Sequence, residues 1–535
     1  ALTGVEAISN GVPVFRPPES KNAAATLLIL GILLAGLFAG ITFLANALHV
    51  DPGAIEHGKT VPSQIARAVF GGGSPLFFAV QAFTAMILFL AANTSYADFP
   101  RLAAILAKDR YLPRVLKHRG DKLAFSNGIV ILALAASALL AHYRAEVHRI
   151  IPLYVIGVFT SFTLSQSGMV AHWFRLRAPG WRRSALVNGI GACTTFIVLI
   201  VVAATKFRLG AWQVVVMIPV LAWILGVVGR HYRQVAEELR LSDEVERIEA
   251  NKVVILGSPF PAATTKALAF ARAFSPRELH VLAFRLSERS LKGTRQHWKA
   301  LGVKAPIEAT GPRLGDLVEY VRGLQPSASE PVMVALPDAQ FHNPLRQIRA
   351  GRLLIRIKRA FFSEPGVVVT SVPFAPGNEP EPDRLVAPAR LAVIVLVSAV
   401  HRATIRALEY ARSLYPAELK ALTIAADPED GQRLLAAWEE WGIHIPLEVV
   451  NSPYRSLIQP LLSEVRALSP NPRDAVAVVV PEFVVPRRWQ RLLHNQTAFL
   501  IKAALFFEPN VIVIDVPFPL RLGRRKGQIN QRAIP

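Results

Sequence analysis

The chain has 535 residues, 52% of them hydrophobic, and a formal net charge of +22. Charge sits in blocks between and after long apolar runs, so a whole-chain average conceals two regimes, a membrane part and a soluble part. The single cysteine, Cys193, excludes an intrachain disulfide, and the basic excess shows no aromatic-interleaved stripe of the kind that binds single strands; loops facing anionic lipid account for much of it, and nucleic acid is not expected as a partner.

In chain order, the opening stretch ALTGVEAISNGVPVF is polar and contains Gly4 and Gly11 at the threshold of the first span. Six apolar runs follow, near 25–48, 75–97, 126–143, 150–173, 185–205 and 210–229. Each approaches the roughly 20 residues that cross a bilayer as a helix. With six in succession, these runs are expected to be membrane spans and not a cleavable signal peptide.

Loop charge orients them. The connection after the second run carries Arg101, Lys108, Arg110, Arg114, Lys117, Arg119 and Lys122, and the one after the fourth carries Arg175, Arg177, Arg182 and Arg183. Alternate loops hold only pairs: Lys59 with Arg67, Arg144 with Arg149, Lys206 with Arg208. The basic loops are therefore expected on the cytoplasmic side, with both the opening stretch and the C-terminal region there too.

After Gly229, the stretch RHYRQVAEELRLSDEVERIEANK is charged and free of Pro and Gly, which predicts a surface helix as connector over 230–251. Beyond it the sequence repeats. ALAFARAFSPREL at 267–279 matches ALEYARSLYPAEL at 407–419, GVKAPIE at 302–308 matches GIHIPLE at 442–448, and EPGVVVTSVPF at 364–374 matches EPNVIVIDVPF at 508–518. Three matches in the same order define two copies of one domain, placed at 252–375 and 391–520, with a Pro-rich linker at 376–390 and a basic tail at 521–535. Each copy alternates five β-branched runs with helical patterns, which predicts a doubly wound parallel sheet. The fold class is thus an α-helical membrane bundle followed by two tandem doubly wound α/β domains.

Chemistry is sparse in these copies. Neither holds a Walker sequence, nor the glycine-rich turn of nucleotide-binding universal stress proteins. At the end of the first strand, ILGSPFPAATTKA places Gly257, Ser258, Thr264 and Thr265 either to approach a phosphate or to cap the following helix. The second copy lacks that glycine. Its VPRRWQRLLHNQTAFLIK offers Arg487, Arg488 and Arg491, which suit an anionic ligand, a neighbouring domain or a solvated helix face. His342 and His494 have no Cys or carboxylate at metal-ligand spacing, and no catalytic triad or dyad has local support; an enzyme is not expected.

A polar, glycine-containing break beside a span is costly in hydrocarbon unless it faces protein or water. In transporters with discontinuous helices such breaks hold ions near the midplane. Leu2, Thr3 and Gly4 are read as the break, and VEAISNGVPVF as the half-helix leaving it.

ALTGVEAISNGVPVF, NTSYADFPRLAAILAKDRYLPR and IPLYVIGVFTSFTLSQSGMV together resemble the amino acid–polyamine–organocation (APC) superfamily, and within it the KimA-type potassium importers related to the Kup family. The resemblance runs from residue 1 to about 520 and implies a partial LeuT-like bundle with universal-stress-protein-like cytosolic domains. Members have twelve membrane helices, so residues 1–229 are expected to hold half of the sixth helix plus six spans, with the N-terminal half missing. What it implies further is potassium uptake coupled to protons, Thr3 and Tyr154 as ion contacts, and Glu6 in coupling or gating. Inhibition by cyclic di-adenosine monophosphate, a homodimer and residence in a bacterial inner membrane belong to the same implication. An amino acid permease of the same superfamily is the alternative within transport, and a nucleotide-sensing module the alternative of a different class. Ser161, Thr163, Ser165, Gln166 and Ser167 are read as polar glue between helices or as pathway lining.

Overall fold

A computed structural model describes the chain outside residues 1–3, 6–7, 10, 13–14, 52–59, 118–125, 242–246, 250, 301–302, 304, 341–343, 363, 375–389, 426, 453–456, 470, 472–473, 486, 488–489, 491–492, 494–495, 506–507, 509 and 521–535. The expected linker and basic tail lie almost wholly outside the described residues. The chain divides into two compact units, Ala1–Arg119 with Ala124–Gly229, and Gly120–Leu123 with Arg230–Pro535.

In the first unit all six apolar runs form helices: α1 (Glu19–Ala47), α3 (Pro75–Lys108), α4 (Ser126–His142), α5 (Val147–Leu176), α6 (Trp181–Lys206) and α7 (Ala211–Glu238). A shorter helix, α2 (Val61–Phe70), precedes α3. Five of them are long and apolar enough to cross a membrane; α4 is apolar but has only 17 residues. Local chemistry marks the starts. Ser74 and Thr60 accept backbone N–H groups of Leu76 and Ser63, and each is followed within two residues by a proline, whose missing N–H costs nothing there.

Small residues let these helices approach. A Cβ on Gly128 of α4 would lie 2.8 Å from Pro100 Cβ of α3, beside the buried Ala103, Ala104 and Ala107. Between α5 and α6, Gly191 receives Gln166, and the Thr163 and Thr195 hydroxyls meet at 3.0 Å. Long aliphatic side chains meanwhile point outward; on α1 the only buried side chain among the described residues is Ala23. That inversion of the usual rule is what hydrocarbon solvent selects.

In the second unit each copy supplies five strands: β1 (Lys252–Leu256), β2 (Glu278–Ala283), β3 (Ile307–Ala309), β4 (Val332–Ala339) and β5 (Val367–Phe374), then β6 (Arg390–Leu396), β7 (Glu418–Ala425), β8 (Leu447–Asn451), β9 (Asp474–Val484) and β10 (Val511–Pro519). Two tandem sheets are expected from the repeat, but the strands form one ten-stranded sheet, ordered β3-β2-β1-β4-β5-β10-β9-β6-β7-β8. The physical reason is the edge. β5 and β10 would each leave a row of unpaired N–H and C=O groups, and they satisfy one another by pairing antiparallel. All other pairings are parallel.

The junction register carries more information. Ile514 lies opposite Thr370, and these two residues occupy equivalent positions in EPNVIVIDVPF and EPGVVVTSVPF. A local two-fold axis therefore passes between them, perpendicular to the sheet. Such an axis keeps the two faces distinct. On one face α8 (Pro261–Ala273) and α9 (Glu288–Ala300) of the first copy share a single continuous core with α12 (Arg402–Arg412) and α13 (Pro428–Glu440) of the second. On the other face, α10 (Leu314–Gly323) and α11 (Pro344–Phe361) cover one core, and α14 (Ile458–Leu468) and α15 (Gln496–Leu505) another. Strand residues alternate between them: Val253 and Ile255 face the shared core, Val254 and Leu256 the separate one.

The connector departs from expectation. Helix α7 continues to Glu238, and its last turns are not a surface helix: His231, Tyr232 and Val235 are buried. Tyr232 donates to the Leu493 carbonyl at 3.1 Å, and Val235 packs with Val485, Leu520, Phe483 and Phe518.

Candidate functional site

Thr3 and Glu6, expected at the break, lie outside the described residues. Tyr154 is described. It sits in the second turn of α5, two residues after Pro152, and is 40% exposed, with Ile156 and Val158 buried just beyond it. Of the polar residues farther along α5, Thr163 and Gln166 face α6, whereas Ser161, Ser165 and Ser167 are exposed. The hydroxyls of Thr160 and Thr163 bond back to the carbonyls of Ile156 and Phe159. Tyr143, just after α4, donates to Gln213 Oε1 of α7.

In the second unit, Ser258 and the Arg487 segment follow non-equivalent strands of the two copies. In each copy the strand order reverses beside the first strand, between β1 and β4 or between β6 and β9. Open α/β sheets bind ligands at the carboxyl ends of the strands flanking such a switch. Ser258 follows β1, and Arg487 follows β9; Arg488 and Arg491 lie outside the described residues.

The two crevices differ in filling. At the first, the buried hydroxyls are taken up locally: Thr264 Oγ1 accepts the Ser258 N–H at 2.9 Å, Ser258 Oγ accepts the Phe260 N–H at 3.2 Å, and Thr265 Oγ1 donates to the Pro261 carbonyl while accepting from Trp298 Nε1 at 2.8 Å. A Cβ on Gly257 would lie 2.6 Å from Leu286 Cδ1 and 3.2 Å from the Leu282 carbonyl oxygen, so a larger residue there would have to displace the Leu286 side chain. At the second, the end of α7 enters. Gln490 Nε2 meets His231 Nδ1 at 3.2 Å, and the Arg402 N–H donates to the Leu239 carbonyl. Arg487 itself is exposed, with its N–H donated to Gln490 Oε1.

Two polar clusters escaped sequence reasoning. Beside the local two-fold, Lys502 reaches Glu482 at 2.5 Å and Asp515 at 2.7 Å, with its ammonium 5.6 Å from the Phe362 ring centre of the other copy. Burial pushes the Glu482 carboxyl up, against the opposing pull of Lys502 and Lys358; burial likewise raises Asp338, again opposed by Lys358. Burial alone would lower Lys502, but Asp515 and Glu482 carry it above its ordinary value. The repeat offset relates Lys358 to Lys502 and Asp338 to Glu482, and that correspondence was the available signal. Lys502, held between Glu482 and Asp515 and lying over Phe362 of the other copy, ties the copies together.

The second cluster joins β2, β3 and α10: the Glu308 carboxylate accepts from Tyr320 Oη at 2.6 Å and lies 3.0 Å from His280 Nδ1. The Tyr320 bond and then the His280 bond hold Glu308 below the usual carboxylate range. In the second copy Lys420, bound to Glu448 and Glu464, replaces this arrangement. Among the described residues no group of three or more His, Cys, Asp or Glu could hold a metal ion.

Comparison with known proteins places these units. Residues 1–227 match the amino acid permease family model, and residues 249–374 and 389–518 each match the model for the KimA potassium transporter C-terminal domain. The potassium transporter KimA of Bacillus subtilis (strain 168) is 30% identical over 521 residues, which cover 97% of this chain and 62% of that protein. The chain thus spans less than two thirds of that relative's length. Among solved structures, the cytoplasmic domain of a prokaryotic cation chloride cotransporter aligns over 50% of this chain and 95% of its own, at 14% identity and a TM-score of 0.29.

Proposed function

We propose that this chain, an APC-type permease domain joined to a KimA-type C-terminal domain and not an enzyme, works in potassium import as a multi-pass membrane protein with its C-terminal domain in the cytoplasm. The observation that carries the reading is the 30% identity to a potassium transporter, sustained through both units. The outward-facing aliphatic side chains of α1, α3, α5, α6 and α7 support residence in a bilayer.

On this reading Thr3, at the break before the half-helix, and Tyr154, partly exposed on α5, contact the ion; oxygen ligands there replace its water shell. Glu6 serves proton coupling or gating, since an ionisable group beside hydrocarbon is expensive without a task. The doubly wound C-terminal copies are the regulatory part, with Ser258 in one and Arg487, Arg488 and Arg491 in the other as candidate contacts for an anionic regulator such as a cyclic dinucleotide, in a homodimeric assembly. A second reading, amino acid uptake, is favoured by the permease match over residues 1–227.

The test is growth of potassium-uptake-deficient bacteria at limiting potassium. The full-length protein containing this chain is expected to rescue growth, and Thr3→Val and Tyr154→Phe to lower rescue roughly ten-fold or more, the scale of losing one ion-ligating oxygen at ~1.4 kcal/mol. Absence of rescue by correctly inserted protein, with uptake of a labelled amino acid in its place, selects the permease reading.

A further inference from the structure

We propose that the outer face of α11, together with the neighbouring part of α15, is a docking surface for anionic phospholipid headgroups. The inference goes beyond transport itself and concerns where the cytoplasmic domain rests.

Helix α11 reads PLRQIRAGRLLIRIKRAF, with six basic residues and no acidic one. Arg349, Arg352, Arg356 and Arg359 recur at intervals of three and four, which puts them on one side of the helix. The opposite side is committed inward: Ile357 and Phe361 are buried in the core, and Lys358 is drawn to Asp338 and Glu482. Arg352, Arg356 and Arg359 are exposed, and among the described residues none of the three makes an ion pair. A solvated basic helix would surround such a stripe with polar residues. Here Leu353 is 37% exposed, Ile355 is 50% exposed, and Leu500 of α15 is 56% exposed.

The same side of the sheet carries α15, adjacent across the local two-fold, as the contact of Lys502 with Phe362 demonstrates. Aliphatic side chains interleaved with arginines are the composition of an interfacial helix, which seats its hydrocarbon among acyl chains while its cations meet phosphates. Nucleic acid would gain nothing from Leu353 and Ile355. The occupant is argued from charge and from tethering: the domain belongs to a membrane-spanning chain, so an anionic leaflet is always within reach of it.

Cys193 is the one cysteine of this chain, and any cysteine elsewhere in the full-length protein is removed with it for the test. In a Cys193→Ser background, Ile355→Cys is labelled with an environment-sensitive fluorophore, and the full-length protein is placed in nanodiscs of phosphatidylglycerol or of phosphatidylcholine. Expected is blue-shifted, quencher-shielded emission in phosphatidylglycerol that is lost in phosphatidylcholine and at about 1 M salt, where screening shortens to ~3 Å. Replacing Arg352, Arg356 and Arg359 by Gln should reduce the docked-to-free ratio about a hundred-fold, since each basic contact at an anionic surface is worth roughly five-fold. Equal emission in both lipids overturns the proposal. So does shielding that persists in detergent together with cross-linking between two chains, which would make this face an interface between copies.

Discussion

Lys266 holds an ammonium where neighbouring side chains are Ala, Thr and Phe. It lies on α8, donates to the Pro373 carbonyl at 2.9 Å and approaches the Phe270 ring at 6.0 Å, and burial pulls its pKa down from 10.5 to about 8. Lys502, buried to the same degree, is raised because two carboxylates face it. The difference is partner charge, not depth. For Lys266 the folded state binds the proton more weakly than the unfolded chain does. The resulting cost, at most about 3 kcal/mol, is fully present below pH 8 and disappears as pH rises towards 10.5. Lys266→Met should therefore stabilise the second unit at pH 7 by about 1–2 kcal/mol after loss of the carbonyl bond, with an advantage that shrinks above pH 8. Unfolding midpoints of wild type and variant across pH 6–10 check this; a variant destabilised equally at every pH would show that the ammonium is needed where it is.

At the scale of elements, the β5–β10 pairing is what makes one sheet of two copies. Thr370→Cys with Ile514→Cys, in a Cys193→Ser background, should oxidise to an intrachain disulfide, because directly opposed antiparallel residues have Cα atoms roughly 4.5–5.5 Å apart. Val367→Cys with Val511→Cys, an equivalent pair out of register, should remain reduced. Equal thiol titres for the two pairs would contradict the junction. The strands themselves were legible, since runs such as VVIL and GVVVTSVP are continuous in the way doubly covered strands must be. Their junction was not, because an antiparallel register between equivalent residues is set by contacts between copies and leaves no local pattern. The buried end of α7 lies between these cases. Val228, His231, Tyr232, Val235 and Leu239 follow helical spacing, but the charges of RHYRQVAEELR masked that seam. The ion-contact candidates rested on resemblance: a hydroxyl such as that of Thr160 bonds its own helix as readily as it meets an ion.

For the whole molecule, the side on which every loop lies turns on α4. Its 17 residues extend ~26 Å, against ~30 Å of hydrocarbon, whereas the five longer apolar helices each have at least 26 residues. A shortfall of a few ångströms is met by local thinning or by anchoring at the ends, and α4 has such ends: Asn127 bonds the Val115 carbonyl at one, and Tyr143 bonds Gln213 at the other. The close seat of Gly128 on Pro100 further ties α4 to α3 along its length. A crossing α4 makes the loop charges consistent, with the arginine-rich connections after α3 and α5 on one side and the poorer ones on the other. A surface-lying α4 would put Arg144 with the cytoplasmic loops and reverse everything after it. Single cysteines introduced without Cys193 separate the two arrangements. With a membrane-impermeant maleimide, Arg144→Cys and Arg208→Cys should label in intact cells, whereas Lys108→Cys and Arg175→Cys should label only after permeabilisation. If position 144 instead behaved like position 108, α4 would not cross, and the cytoplasmic placement of the C-terminal domain would then require the connection after the second apolar run, leading from α3 to α4, to face outward against its seven positive charges.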